Sequence, residues 1–193
     1  METAHVLEAL QQAYGPLPGA LQEYLGQVLI PRRYPKGQVL LRPGQTPPYA
    51  WFLGKGAARA YLLEEGKGEE VTLWFWLQGE TMVALDSFCR QVPATFYLEL
   101  LEESILYRLS FQEIEGMAAR FPAFRRLERA LVEKALFRIT RHLLDRSRLP
   151  ARARYEKLMQ QAPQLFHRAP VKHIASYLGM FPDTLSRLRS AKE

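Results

Sequence analysis

Twenty residues near the C-terminus decide the reading of this chain: Pro170-Val171-Lys172-His173-Ile174-Ala175-Ser176-Tyr177-Leu178-Gly179-Met180-Phe181-Pro182-Asp183-Thr184-Leu185-Ser186-Arg187-Leu188-Arg189. Val171, Ile174, Ala175 and Leu178 stand at i, i+3, i+4 and i+7, one face of a short helix. Pro170 suits a first turn, where its missing N–H would have no partner anyway. Gly179 supplies a left-handed residue to end the helix. Pro182 then opens a second helix with Leu185 and Leu188 inward, leaving Asp183, Thr184, Ser186, Arg187 and Arg189 outward. Helix, tight glycine-containing turn, helix is the helix-turn-helix pattern, whose second helix enters the major groove of duplex DNA. A plain helical hairpin with a polar face is the alternative. The small Ala175 at the corner, Gly179 at the turn and the outward polar set favour DNA.

Charge points the same way. Net charge is +6 over 193 residues, but it is unevenly spread. Residues 1–120 hold 10 Lys+Arg and 14 Asp+Glu, a net of −4, whereas residues 121–193 hold 16 and 6, a net of +10. A basic half attracts phosphate backbones whatever their sequence. Anionic membrane would need a strong amphipathic Lys/Arg helix with an aromatic face, and none is visible, so double-stranded DNA is the expected partner and membrane is not. No run of eighteen apolar residues occurs, and Met1-Glu2-Thr3-Ala4-His5 lacks the basic-then-apolar pattern of a secretory leader. A cytoplasmic protein is expected.

Upstream, residues 4–29 have helical periodicity in two pieces, split by Gly15-Pro16-Leu17-Pro18. From 30 to about 109, short β-branched and aromatic runs alternate with Gly/Pro breakers every eight to twelve residues or so, which argues for a sandwich or barrel. The runs are Gln38–Arg42, Ala50–Leu53, Ala57–Leu63, Glu70–Trp76, Thr95–Leu101 and Ile105–Leu109. Val71–Trp76, apolar on both faces, reads as an inner strand. Ser110 and Glu113 form a capping-box match that starts a helix. Pro122 interrupts it, and a long helical run covers Ala123 to about Arg146, broken by Leu149-Pro150. Leu127, Leu131 and Ala135 lie on its apolar side; they either pack on the β module or form a homodimer seam, which two-fold DNA readers need. A further helix covers Ala151–Gln161.

A β-rich module, a long connecting helix and a C-terminal helix-turn-helix, in that order, resemble the CRP/FNR family of bacterial transcription regulators over nearly the whole chain. Tyr34–Gly44 is similar to the first turns of that family's jelly-roll sensor domain, and Gly54-Lys55-Gly56-Ala57-Ala58-Arg59 to its next hairpin. Arg154–Met159, Pro163, Ile174–Gly179 and Thr184–Arg189 resemble its DNA-binding end. The resemblance implies an α+β architecture: a β-roll sensor domain with N-terminal helices over 1–122, a dimerisation helix over 123–147 and a helix-turn-helix domain over 148–193. It places Arg187 on the recognition-helix arginine, whose fork suits guanine O6/N7. Asp183 falls where the family usually carries a glutamate that accepts from cytosine. Pro182 fills a slot that often holds a base-contacting arginine, so fewer bases are read there. Thr184, Ser186 and Lys172 are assigned to phosphates, and Arg189 completes the exposed set. RNA polymerase is a further expected partner.

The family's cyclic-nucleotide site uses a Gly-Glu pair and, about ten residues on, Arg-Ser. With Gly79 on the glycine preceding this cassette, Val83-Ala84 replaces Gly-Glu and Pro93-Ala94 replaces Arg-Ser. A second register uses Gly79-Glu80 and Arg90. The first loses the cation, and Pro93 has no N–H to donate, so control by cyclic AMP is not expected. Regulation by a cyclic nucleotide or another small ligand, or an RNA- or polymerase-associated basic factor, remains as an alternative.

No cofactor is expected. Cys89 alone cannot hold an iron–sulfur cluster and reads as a small buried hydrophobe rather than a thiol switch. His5, His142, His167 and His173 all fall outside the β module, and His167 and His173 read as surface or phosphate-contacting residues. No nucleophile–base set or paired-carboxylate cleft suggests an enzyme.

Overall fold

A computed structural model describes residues 3–190. Helices α1 (Thr3–Tyr14) and α2 (Gly19–Val28) precede a run of strands: β1 (Arg32–Tyr34), β2 (Val39–Leu41), β3 (Tyr49–Lys55), β4 (Ala57–Leu63), β5 (Glu70–Leu77) and β6 (Thr81–Met82). Helix α3 (Leu85–Arg90) leads to β7 (Tyr97–Leu100) and β8 (Ser104–Ser110). Then come α4 (Phe111–Arg120), α5 (Pro122–Arg148), α6 (Ala151–Gln161), α7 (Leu165–Arg168), α8 (Val171–Leu178) and α9 (Pro182–Ser190). The strands form two antiparallel four-stranded sheets, ordered β1-β8-β3-β6 and β2-β7-β4-β5, facing each other as a jelly roll.

The breakers have visible work. At Gly56, between β3 and β4, φ is 116°, and a Cβ would lie 2.1 Å from Ser104 Oγ, so only glycine fits where two strands nearly touch. Leu41, Trp51, Leu53, Ala58, Ala60, Met82, Leu98, Leu100 and Leu106 fill the space between the sheets. At one end α1, α2, α4 and the start of α5 bury Val6, Leu10, Leu21, Leu25, Met117, Phe124 and Leu127 against Phe52 and Tyr107. Ser110 Oγ accepts from the Glu113 N–H at 3.2 Å, and Glu113 Oε2 accepts from the Ser110 N–H at 2.6 Å, closing the capping box that starts α4. Pro122 occupies the first turn of α5 rather than simply interrupting, the place where its ring costs nothing.

Three features depart from the sequence expectations. The two-residue strand β6 and the six-residue helix α3 are too short to leave a periodic signal. Strand β5 is an edge, not an inner strand. Its two apolar faces have two partners: Trp76 faces the sheet interior, whereas Phe75 lies under α8, with its ring 5.3 Å from Tyr177. A shift in register between Ala60 and Tyr61 leaves Leu73 unpaired and brings Thr72 to the same covered side. Helix α8 thereby closes an edge that would otherwise offer unpaired backbone groups. Thr72 donates its N–H to Ser176 Oγ at 2.9 Å.

No helix among the described residues is long and apolar enough to cross a membrane.

Candidate nucleic-acid interface

Helices α8 and α9 are built as the hydrophobic spacing requires. Ile174, Ala175, Leu178 and Leu185 are buried in one cluster with Tyr155, Leu158, Leu165 and Phe166. Gly179 takes a left-handed conformation (φ 65°) and ends α8. Met180 donates its N–H to the Ala175 carbonyl at 3.0 Å, as in a Schellman closure. With Leu185 inward, α9 leaves Pro182, Asp183, Ser186, Arg187 and Arg189 exposed and Thr184 half-buried, and Lys172 is exposed on α8. The seven residues assigned to DNA thus lie on two helices that pack on each other. Among the described residues, the Arg187 guanidinium is exposed and makes a 3.4 Å contact to the Asp183 carbonyl of its own helix.

The module is fastened to the rest of the chain at several points. Lys157 pairs with Asp145 at 2.5 Å, tying α6 to the end of α5. Arg154 donates to the carbonyls of Leu149 (2.6 Å) and Gly179 (3.2 Å), spanning both sides of the helix-turn-helix. Arg168 reaches the Gly56 carbonyl and Glu102, both at 3.2 Å.

The strongest fastening lies beneath α8. Arg59 is 2% exposed on β4, with its side chain on the outer face of the sheet. It gives Nε and Nη2 to Glu99 Oε2 at 2.9 and 2.7 Å, and Nη2 also to Glu70 Oε2 at 2.8 Å. Tyr61 lies under the guanidinium at 4.1 Å and is itself stacked on Tyr97. The remaining fork position, Nη1, meets Nδ1 of His173 at 2.8 Å. Arginine can only donate, so Nδ1 accepts and the ring proton sits on Nε2. His173 is therefore buried and holds the two modules together; it is not the surface or phosphate-contacting residue expected, whereas His167 is exposed. Burial first, and then the Arg59 charge, push its pKa down to about 4. Burial pushes the Glu70 carboxyl up, but the bond and charge of Arg59 outweigh it and hold that carboxyl below its usual range. The cue available in sequence was Arg59 itself, a lone charge in Ala57-Ala58-Arg59-Ala60-Tyr61, which requires partners once buried.

A second histidine completes the seam. His142 of α5 stacks on Tyr177 of α8 at 4.1 Å, and Trp74 meets it edge-on at 5.7 Å. Burial and Arg146 push its pKa down to about 4 as well, and burial pushes Tyr177 up to about 12. Below about 6.5 an unfolded chain would take up protons that both folded-state imidazoles refuse until about 4. Stability from these two groups is thus complete above pH 6.5 and is lost as pH falls through 4. Unfolding midpoints measured from pH 7 to 4 should fall steadily, and less steeply in His173→Gln. An unchanged slope in that variant would contradict the assignment.

The β module has a cavity of about 900 Å³ between its sheet and α5, walled by Leu73, Trp74, Trp76, Phe96, Leu131 and Ile139 among others. Of the seven candidate ligand residues, Glu80 and Val83 line it. Ala84 and Ala94 are buried in the sheet core, Gly79 and Pro93 are exposed, and Arg90 pairs with Asp86 at 3.2 Å on the surface of α3. Glu80 is bonded to Arg138 at 2.5 Å. The cavity wall is mainly aromatic and aliphatic; besides the Glu80–Arg138 pair, Asp86, Lys134 and Arg146 also line it. Cys89 is exposed rather than buried, and partial burial of its sulfur with the Glu128, Asp86 and Glu115 carboxylates pushes the thiol up, away from a reactive thiolate.

A jelly-roll β module, a long connecting helix and a C-terminal helix-turn-helix, in this order, form a fold shared with CRP/FNR-family transcription regulators, and residues 31–121 match the cyclic nucleotide-binding domain family. Similar solved structures include FixK2 from Bradyrhizobium japonicum, with a TM-score of 0.75 and 19% identity over 85% of this chain and 84% of that one. The catabolite activator protein of Thermus thermophilus gives 0.57 and 22%, over 95% and 85%. A protein from Eubacterium rectale described as a transcriptional regulator of the CRP/FNR family gives 0.67 and 15%, over 89% and 82%. Among curated proteins, none matches the chain by sequence.

Proposed function

We propose that the protein is a sequence-specific DNA-binding transcription regulator that acts in the cytoplasm as a homodimer on a two-fold-symmetric site, without control by cyclic AMP. The observation that carries this reading is the exposed polar face of α9, held on a rigid support of buried Leu185, Ile174 and Leu178. Arg187 reads a guanine, Asp183 faces a neighbouring base, and Lys172, Thr184, Ser186 and Arg189 hold phosphates. RNA polymerase is the further partner proposed for such a regulator.

The dimer is assigned to α5, along a different stripe from the one expected. Leu127 is buried in the chain's own core, Leu131 packs against that core, and Ala135 is half-buried beside the cavity. Val132, Leu136, Ile139 and Leu143 are more exposed, with Val132, Ile139 and Leu143 at the border of that cavity, and their spacing of four, three and four is that of a coiled-coil seam.

Two mutants separate a sequence reader from a merely basic protein. Arg187→Ala should cost about 1–3 kcal/mol per guanine contact and erase discrimination at that base pair. Lys172→Ala should weaken all sequences alike and flatten the salt dependence by about one unit of slope. Fluorescence anisotropy on specific and random duplexes decides this, and equal losses on both duplexes for Arg187→Ala would make it a backbone clamp.

Independence from cyclic AMP is supported by Asp86 in the first turn of α3, where a phosphate would meet a carboxylate, and by Pro93-Ala94 in place of a cation. Calorimetry with cyclic AMP should show no binding at micromolar concentration. Binding that is abolished by Arg90→Ala would overturn this part. A second reading, regulation by a small apolar ligand, is favoured by the aromatic cavity.

A further inference from the structure

Phe181 breaks two local rules at once. It is 81% exposed, the most exposed large apolar side chain among the described residues, and its ring has no aromatic or cationic partner among them. It also holds the N-cap position of α9: its carbonyl accepts from the N–H groups of Thr184 (3.0 Å) and Leu185 (3.2 Å). Ser, Thr, Asp or Asn at that position would add a side-chain bond to the helix N-terminus, and Phe adds none. Lastly, the residue before a proline has a restricted backbone, so Pro182 narrows the φ/ψ that Phe181 can adopt. An exposed apolar group that adds no capping bond and meets no aromatic or cationic partner among the described residues points to a contact made outside the chain.

The other exposed apolar residues are mostly on α5, where the dimer seam accounts for Val132, Leu136, Ile139 and Leu143. Phe181 is distant in sequence and lies where the recognition helix begins. In a docked helix-turn-helix, the N-terminal residues of that helix face the base edges. The major-groove edges are polar except at thymine, whose C5 methyl is their one apolar feature.

We infer that Phe181 contacts the methyl group of a thymine in each half-site and makes the protein select thymine at that position. This rests on the DNA-binding reading of α9. Asp183 and Arg187 supply the polar part of the readout, and Phe181 adds an apolar element that no hydrogen-bonding residue can replace.

Uracil tests this cleanly, because it keeps every hydrogen-bonding group of thymine and lacks only the methyl. The full-length protein selects its site from random duplexes, and each thymine of that site is then replaced by deoxyuridine in turn. One position per half-site should lose about three- to tenfold in affinity, the worth of one buried methyl. Phe181→Ala, whose exposed site makes misfolding no concern, should bind thymine and uracil duplexes equally at that position while keeping its guanine preference. If no thymine-to-uracil change matters, or if the effect persists in Phe181→Ala, the inference fails while DNA recognition stands. If the wild-type protein selects no sequence at all, the reading beneath it fails too.

Discussion

Arg59→Ala is expected to lower stability by about 3 kcal/mol, the low end for breaking a buried ion pair, because Glu70 and Glu99 retain some access to water. The loss arises less from the missing attraction than from what stays behind. Two carboxylates and the acceptor nitrogen of His173 would lie under α8 with no donor. Lysine should not restore the loss, since one ammonium on a flexible stem cannot serve partners on β5, β7 and α8 together. Denaturant unfolding measures the total, and hydrogen exchange locates it: amides of α8 should exchange faster before those of the inner strands. A loss below about 1 kcal/mol, within the range of an exposed pair, would mean that the apolar contacts around Phe75 and Tyr177 fasten the module alone.

The second large effect concerns the dimer. Leu136→Glu places a carboxylate in the middle of the α5 seam, where the two-fold axis would set it against its own copy. Leu136 is 57% exposed within the single chain, so the fold itself should survive. Sedimentation at micromolar concentration should show a monomer in place of a dimer. Affinity for the paired site should drop by about 10²–10⁴-fold, the advantage of engaging both half-sites at once. Leu131→Glu cannot serve here, because Leu131 packs against the internal cluster and its loss would confound unfolding with dissociation. A Leu136→Glu protein that stays dimeric would move the interface off this stripe.

Much of the fold was legible because its signals are local. The helix-turn-helix follows from Val171, Ile174, Ala175, Leu178 and the left-handed Gly179, and β4 begins and ends at the predicted Ala57 and Leu63. The capping box at Ser110 was equally plain. What escaped depends on contacts between distant segments. Nothing near His173 in sequence announces Arg59, which lies 114 residues away. The double-sided apolar character of Val71–Trp76 was read as a central strand, since the chain alone does not say whether the second face meets a strand or a helix. The same ambiguity affects α5, which has an inner apolar side at Leu127 and Leu131 and an outer one at Leu136 and Phe137, and periodicity alone does not tell inside from outside. At the candidate interface, the polar face of α9 was visible because an amphipathic helix sorts itself by spacing. Phe181 stayed hidden because an apolar residue beside a turn looks like core until its exposure is known.

Selection of ligands from random-sequence duplexes with the full-length protein shows whether two copies of this chain read a defined DNA sequence through α9. The expected outcome is a two-fold-symmetric site with half-sites centred about 34–36 Å apart, one helical turn. Each half-site should carry a guanine whose selection is lost in Arg187→Ala. Recovery of no preferred sequence, or of a lone asymmetric site bound by a monomer, would contradict this reading.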